Sequence, residues 1–414
     1  MKFPLMVRVR QKLKESPLVG AESELLSGLE RVYRKHAFSK AKSAAIAVGS
    51  RRIDRIAEIV RNIGMYLSNR GIKPFIVPAM GSHGGASAEG QVRILESIGI
   101  TEESTGIPIV SSMETVRIGD TESGVPVFMD ERALSADMII VVNRVAPHTG
   151  FSGSVQSGIQ KMIAVGLGNE DGARALHSRG FENSYLISEM ASLVIEKTHP
   201  CFAVALVEDG RKMLSHLEVM TSDEIAKREP PLLEMAFSLY PSLPLDYADI
   251  LIIDEIGKDH SGVGMDPMIT GRGKKEERRK STFKAKRIVA LGLSRASCGN
   301  ATGVGHADII TEELFHSINF ESTYRNVFSS GALERAKIPI VAKSDREAIR
   351  FAIESLGKDG REARVIRIKN TSEVSEIEVS ENTARNLLGE DLSILGEAKG
   401  MDFDLNGRLR DRFL

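Results

Sequence analysis

Apolar and polar positions along the first half of the chain alternate between two regimes. Ala44–Val48 is a short continuous apolar run, the pattern of a parallel strand buried on both faces. Arg52–Arg70 then places Ile53, Ile56, Ile59, Val60, Ile63 and Leu67 along one helical stripe. Pro74–Pro78 reads as the next strand, Gly81-Ser82-His83-Gly84-Gly85 as a turn, and Ala88–Ile98 as a second amphipathic helix. Val116–Ile118 and Val125–Met129 suggest a hairpin, Met138–Val142 a strong strand, Val155–Val165 a helix and Cys201–Val207 another strand. Strands alternating with helices in this way predict an α/β fold, with a doubly wound, Rossmann-like parallel sheet in the first half. The first 40 residues, charged with scattered leucines, read as a helical lead-in.

Residues 229–245 hold four prolines, and the end of that stretch is the expected boundary between two α/β domains, 1–245 and 246–414. The second half restarts with the strand Ile250–Ile253 and continues through a glycine- and charge-rich loop to about Lys286. Arg287–Leu293, Ile338–Val341 and Val365–Ile368 are further strand candidates, and Glu347–Leu356 a helix. In an open α/β sheet ligands bind beyond the carboxyl ends of the strands, so a cleft between the domains is the expected active site.

The chain has 414 residues, enough for two or three domains. Its 42% hydrophobic and 27% charged content is that of a folded globular protein. Fifty-five basic against 56 acidic residues leave a net charge of −1, which gives no field to attract nucleic acid or an anionic membrane. The locally basic segment GRGKKEERRKSTFKAKR contains Glu276, Glu277 and a single aromatic, Phe283, and reads as a solvated loop. Two cysteines, Cys201 and Cys298, exclude a disulfide scaffold and a thiolate-rich metal cluster. The amino terminus breaks its apolar residues with charges, and no run of about 18 apolar residues occurs, so a cytoplasmic protein without membrane spans is expected.

The strand-end rule selects a short set of candidates. Arg51 and Arg52 follow the first strand, and His83 follows the second inside GSHGG. Asn143, Arg144 and His148 follow Met138–Val142, and Glu255 and Lys258 follow the first strand of the second half. Glycines around His83 let backbone N–H groups turn toward an anion, whereas the plainer reading is an ordinary turn with a solvated histidine. His148 is either a loop histidine capping the next helix or a general acid or base titrating near neutrality. Lys161, between Ile159 and Met162, either snorkels from a half-buried face or presents a desolvated amine for a covalent bond. His177 is either a helix-face histidine or a metal ligand, imidazole being suited to nickel among others. No C-x-x-C and no H-x-x-x-H pair is present, so a metal site built from protein ligands alone is not expected.

Taken together, GSHGG with His83, PHTGFSGSVQSG with His148, Lys161, and His177 sixteen positions further on resemble the lactate racemase family that uses a nickel-pincer nucleotide. The resemblance spans about Ala44 to Lys258. It implies His83 and His148 as catalytic imidazoles, Lys161 as the covalent anchor of the cofactor and His177 as the nickel ligand. Arg51, with Ser50, Ser82 and Gly84, would bind the rest of the cofactor, including its phosphate. Glu255 and Lys258, three apart near the substrate in that pattern, would accept hydroxyl hydrogen bonds and pair with a carboxylate. The first domain would then bind cofactor and the second contact substrate. Three departures point to a divergent isomerase branch: Val48 stands where the prototype has aspartate, Glu255 replaces a glutamine, and Lys161 lies further beyond His148.

The implied activity is racemisation or epimerisation of a 2-hydroxy acid, with Glu255 favouring a polyhydroxylated sugar acid. The cofactor would be a pyridinium bis-thio mononucleotide carrying nickel, absent from protein made in a host that does not assemble it. Proteins of cofactor biosynthesis would be its partners, neither nucleic acid nor membrane would be bound, and homo-oligomerisation stays open. A 2-hydroxy-acid oxidoreductase and a non-catalytic binder of a sugar acid or nucleotide are the alternatives.

Overall fold

The computed structural model describes residues 2–36, 40–180, 183–198, 201–273, 281–385, 387 and 392–413. The chain divides into two units, Lys14–Tyr240, and Met1–Leu13 together with Pro241–Leu414. Residues 274–280 of the basic segment, with Glu276 and Glu277, lie outside the described residues.

The amino terminus differs from the helical lead-in expected of it. Leu5–Gln11 is strand β1, and only Ala21–His36 is helical. In LMVRVRQ, Val7, Val9 and Gln11 are buried while Arg8 and Arg10 are exposed, which is the two-residue period of a strand. This strand belongs to the sheet of the carboxyl-terminal unit, so the first residues fold with the last.

The Lys14–Tyr240 unit is built on strands β2 (Ser43–Val48), β3 (Lys73–Pro78), β6 (Met138–Arg144), β7 (Cys201–Glu208) and β8 (Leu214–Thr221), with the hairpin β4 (Thr115–Asp120) and β5 (Pro126–Asp130) set apart. The sheet order is β3-β2-β6-β7-β8, parallel except for the last pair. Ala44 through Val48 are all buried because both sheet faces are covered. On one face Ile46, Ile140 and Val204 pack with Ile56, Ile59, Val60 and Ile63 of the helix Ile56–Ser68.

Two helices depart from the sequence pattern. The apolar run Val155–Val165 is not one helix: a short α-helical turn, Ile159–Lys161, leads into a π-helix, Met162–Gly166. Gly158, at φ 175°, ψ −154°, separates the extended Ser157 from that turn. The prolines do not all lie in a linker either. Pro230 and Pro231 fall inside the helix Ser222–Leu239. The carbonyls they leave without an intrahelical donor belong to Ala226 and Lys227, both exposed residues that water can reach.

In the other unit, β9 (Tyr247–Ile253), β10 (Lys284–Ala290), β11 (Ile309–Thr311), β12 (Ile340–Ala342), β13 (Val365–Asn370), β14 (Glu373–Ser380) and β15 (Leu392–Ile394) join β1 in the order β12-β11-β10-β9-β13-β14-β1-β15. The sheet is parallel from β12 to β13 and antiparallel beyond. Asp254, just past β9, is fixed by Arg367 at 2.8 and 2.9 Å and by the Phe413 N–H at 2.8 Å. The loop carrying Glu255 and Lys258 therefore starts from a rigid, fully buried ion pair.

Candidate functional site

In the Lys14–Tyr240 unit the loops after β2, β3 and β6 meet the turn that carries Lys161. Small residues make the approach feasible. A Cβ on Gly49 would stand 2.9 Å from Met162 Cε, and one on Gly166 would stand 2.6 Å from the Ala79 carbonyl oxygen. The Gly81 N–H donates to the Gly166 carbonyl at 3.2 Å. The GSHGG turn and the π-helix are thus in direct contact, and π-helical turns recur at functional sites.

Lys161 is placed by what holds the start of its turn. The Asn143 side chain at the end of β6 donates to the Gly158 carbonyl at 3.0 Å. From the opposite side Glu229, buried in the proline-containing helix, accepts the Gln160 N–H at 2.9 Å. The carboxylate needs a glycine here, because a Cβ on Gly158 would fall 1.9 Å from Glu229 Oε1. Burial pushes the Glu229 carboxyl up to about 7.

The Lys161 amine lies 4.5 Å from the centroid of the Phe151 ring. The same ring stands 5.0 Å from the His148 ring and 6.4 Å from the His177 ring. Phe151 is fully buried, so it acts as a fixed plate between these three groups. Although Lys161 retains some accessible surface, protein atoms crowd its amine; desolvation, with the positive charge of Arg51, pulls it down to about 7. Desolvation and the charge of Lys161 likewise pull His177 down to about 4, so its imidazole is neutral at physiological pH. Arg51 keeps exposed surface, yet lost solvation and its like-charged neighbour Arg144 lower its guanidinium. Arg144 itself is paired with Glu208, which also accepts the Asp54 N–H at 2.9 Å.

His177 ends the helix Asn169–His177, whose start is pinned by a buried pair. Asn169 Nδ2 donates to Asp130 Oδ2 at 2.9 Å and to the Ser112 carbonyl at 3.1 Å. Asn169 adopts φ +47°, a left-handed conformation that a non-glycine residue holds only where surrounding contacts enforce it.

The two strand-end histidines have different surroundings. His83 is exposed, and its Nδ1 is 2.5 Å from the Ser50 hydroxyl oxygen. His148 Nδ1 accepts the N–H groups of Gly150 at 2.9 Å and Phe151 at 3.1 Å, and its own N–H donates to Gln156 Oε1 at 2.8 Å. Ser82 is exposed, while Gly84 serves packing: at φ +71° it lies where a Cβ would be 2.5 Å from the Gly90 carbonyl carbon.

The remaining two expected residues lie in the other unit, in the loop after β9, and both are engaged with protein. Lys258 Nζ donates to the Gly262 carbonyl at 2.7 Å and to Asn326 Oδ1 at 2.8 Å. Glu255 Oε1 is 2.9 Å from His260 Nε2. Sequence reasoning passed over Phe151, Glu229 and His260. Phe151 sits inside the GFSG motif already singled out and His260 two residues past Lys258, so both were within reach; Glu229 carried no signal beside its prolines.

Among the described residues no group of three or more His, Cys, Asp or Glu side chains could hold a metal ion. No helix among them is long and apolar enough to cross a membrane.

The Lys14–Tyr240 unit is therefore an α/β domain presenting a lysine, an aromatic plate and three histidines around the carboxyl ends of its parallel strands. Residues 31–188 match the family model of the lactate racemase N-terminal domain, a span that contains Ser50, Arg51, His83, His148, Lys161 and His177. The likeness is to that domain and is confined to this segment of the chain. The lactate racemase apoprotein from Thermoanaerobacterium thermosaccharolyticum is a similar solved structure, with a TM-score of 0.49 and 14% identity over 94% of this chain and 97% of that one. That likeness is too distant to inform the chemistry. No curated protein matches the sequence.

Proposed function

We propose that the protein is an isomerase, a racemase or epimerase of 2-hydroxy acids, that works with a nickel-pincer nucleotide anchored on Lys161. The observation that carries the reading is the Lys161–Phe151–His177 arrangement, in which an amine that is in part unprotonated at neutrality and a neutral imidazole stand beside one buried ring.

The donor set suits such a group. An amine near 7 is in part unprotonated at neutral pH and can form an amide-type bond, after which its burial carries no charge penalty. A neutral imidazole is the form that ligates a metal, and a single protein ligand suffices where the cofactor supplies the others. Arg51 is the cation for the phosphate, with Ser50, Ser82 and Gly84 in the neighbouring turns. When bound, the group supplies a reversible acceptor for the hydride of the carbinol carbon. The protein's share is positioning and proton traffic at the substrate oxygen, given to His83 and His148. Lys258 is proposed as the partner of the substrate carboxylate and Glu255 as that of a further hydroxyl, in keeping with a sugar acid.

Two measurements on protein co-produced with a cofactor-assembly pathway test this. Peptide mass mapping should find a nickel- and sulfur-containing adduct on Lys161, and chiral separation should show interconversion of a 2-hydroxy acid. An unmodified Lys161 under those conditions removes the anchor, and a free keto acid made at the expense of an added electron acceptor assigns an oxidoreductase instead.

A further inference from the structure

We infer that His260 sets the substrate class of this protein: it holds one oxygen of Glu255 and leaves the other as an acceptor-only anchor for a hydroxyl beyond the carbinol carbon, which favours a polyhydroxylated acid over lactate. This rests on the isomerase reading above and names the group that makes it selective.

Glu255 leaves the end of β9 with its backbone fixed. Its N–H donates to the Lys369 carbonyl at 2.9 Å, and the next N–H, of buried Ile256, to the Gly292 carbonyl at 3.0 Å. The side chain is then set by one imidazole. His260 Nε2 lies 2.9 Å from Glu255 Oε1 and 3.5 Å from Asp259 Oδ2. Carboxylate oxygens accept and do not donate, so Nε2 carries a hydrogen and gives it to Glu255. The ring is itself anchored. Nδ1 is 3.4 Å from the Ser372 hydroxyl, which donates at 2.9 Å to Oδ1 of Asn370, the last residue of β13 and so of the strand beside β9. The His260 N–H donates to the Gly257 carbonyl at 3.1 Å, and Asp259 accepts the hydroxyls of Ser294 and Ser297. That cluster needs a glycine at 257, since a Cβ there would stand 2.6 Å from Ser297 Oγ. His260 therefore spans the carboxyl ends of two adjacent parallel strands, where open α/β sheets take ligands.

What remains on Glu255 is Oε2. Among the described residues no donor meets it, and the side chain keeps 25% of its surface exposed. An acceptor-only oxygen disfavours a carboxylate or keto oxygen and binds a group that carries hydrogen. In a 2-hydroxy acid held elsewhere through its carboxylate and carbinol, that group is a hydroxyl further along the chain. Lactate offers a methyl there, which displaces water from Oε2 without replacing its hydrogen bond. Hydrogen bonds to carboxylates discriminate by about 10- to 100-fold. A glutamine, free to present either end of its amide, would lack this bias. His260 acts through Glu255 and is a positioning residue. Because the selected hydroxyl lies away from the reacting carbon, its effect falls on KM.

Turnover of lactate, glycerate and gluconate by cofactor-loaded protein tests the inference, with kcat and KM measured for wild type, His260→Leu and His260→Gln. Wild type should favour glycerate or gluconate over lactate by about 10- to 100-fold in kcat/KM. His260→Leu should bring that ratio near unity by raising KM for the hydroxylated acid while kcat holds. His260→Gln, whose amide can still donate to Glu255 Oε1, should restore most of the preference. A wild-type preference for lactate, a preference that survives in His260→Leu, or a glutamine variant as impaired as the leucine one overturns the inference. Long-range proton–nitrogen spectra of cofactor-free protein labelled with 15N-histidine, assigned by the signals lost in His260→Gln, should find a hydrogen on Nε2 of His260 at neutral pH. A bare Nε2 overturns the inference without any turnover being measured. Absence of isomerisation in loaded wild-type protein would instead defeat the functional reading on which it rests.

Discussion

The amine of Lys161 rests over the face of Phe151, 4.5 Å from the ring centroid. A ring face attracts a cation, yet here desolvation and Arg51 outweigh that attraction and the amine titrates near neutrality. A lysine whose folded value lies below its unfolded one destabilises the fold while protonated. Between about 7 and the ordinary value of 10.5 the unfolded chain binds the extra proton, so stability should rise with pH across that window. The gap in melting temperature between cofactor-free wild type and Lys161→Met, with the variant higher, should be widest at pH 7 and below and should close as pH rises from 7 toward 10.5. Parallel curves would show an ordinary lysine.

His177 gives a second pH signature. Its ring stays neutral in the fold down to about 4 but is protonated below 6.5 in the unfolded chain. Stability should therefore fall as pH drops from 6.5 toward 4, and His177→Asn should flatten that part of the curve. The same variant in loaded protein should retain less nickel, read by metal analysis.

Glu229 runs in the opposite direction. Its folded value, raised to about 7, lies above the ordinary 4.5, so the fold binds the proton more tightly than the unfolded chain does between those limits. Stability is lost as pH rises through that window. Glu229→Gln should stabilise at pH 8, by up to about 3 kcal/mol, and give no gain at pH 4.5. Denaturant unfolding at the two pH values checks it.

Gly158 and Glu229 should be coupled. Gly158→Ala drives a methyl against Glu229 Oε1 and should cost about 1–3 kcal/mol, the usual penalty of overpacking. Glu229→Ala in the same chain should recover part of that loss. A double-mutant cycle with no interaction term would show that the two sites do not press on each other.

Lys258 ties its loop to Asn326, so Lys258→Met should remove two hydrogen bonds and lower the melting temperature of the protein. If the residue also pairs with the substrate carboxylate, the loaded variant should show a raised KM as well. An unchanged KM alongside a lowered melting temperature would leave Lys258 a structural role only.

Much of the sheet was legible because both-face burial writes itself into sequence as unbroken apolar runs, as in Ala44–Val48 and Met138–Val142. The strand-end rule then selected Arg51, His83 and His148 without any contact being known. The amino terminus misled because its alternation, Val7-Arg8-Val9-Arg10, is short and its partner β14 lies more than 360 residues away in sequence. The turn at Lys161 misled for another reason. Apolar spacing fits α- and π-helical turns alike, and the groups that crowd this turn, Glu229 at Gly158 and the Ala79 carbonyl at Gly166, come from distant parts of the chain.

The sequence by itself determined the α/β class and which side chains stand at the carboxyl ends of the parallel strands, because burial periodicity and turn chemistry are local. Only the tertiary structure decided what those side chains are chemically. Whether Lys161 and His177 carry charge depends on solvent exclusion and on charges brought close by the fold, Arg51 beside Lys161 and Lys161 beside His177, and neither is a property of the residues in order.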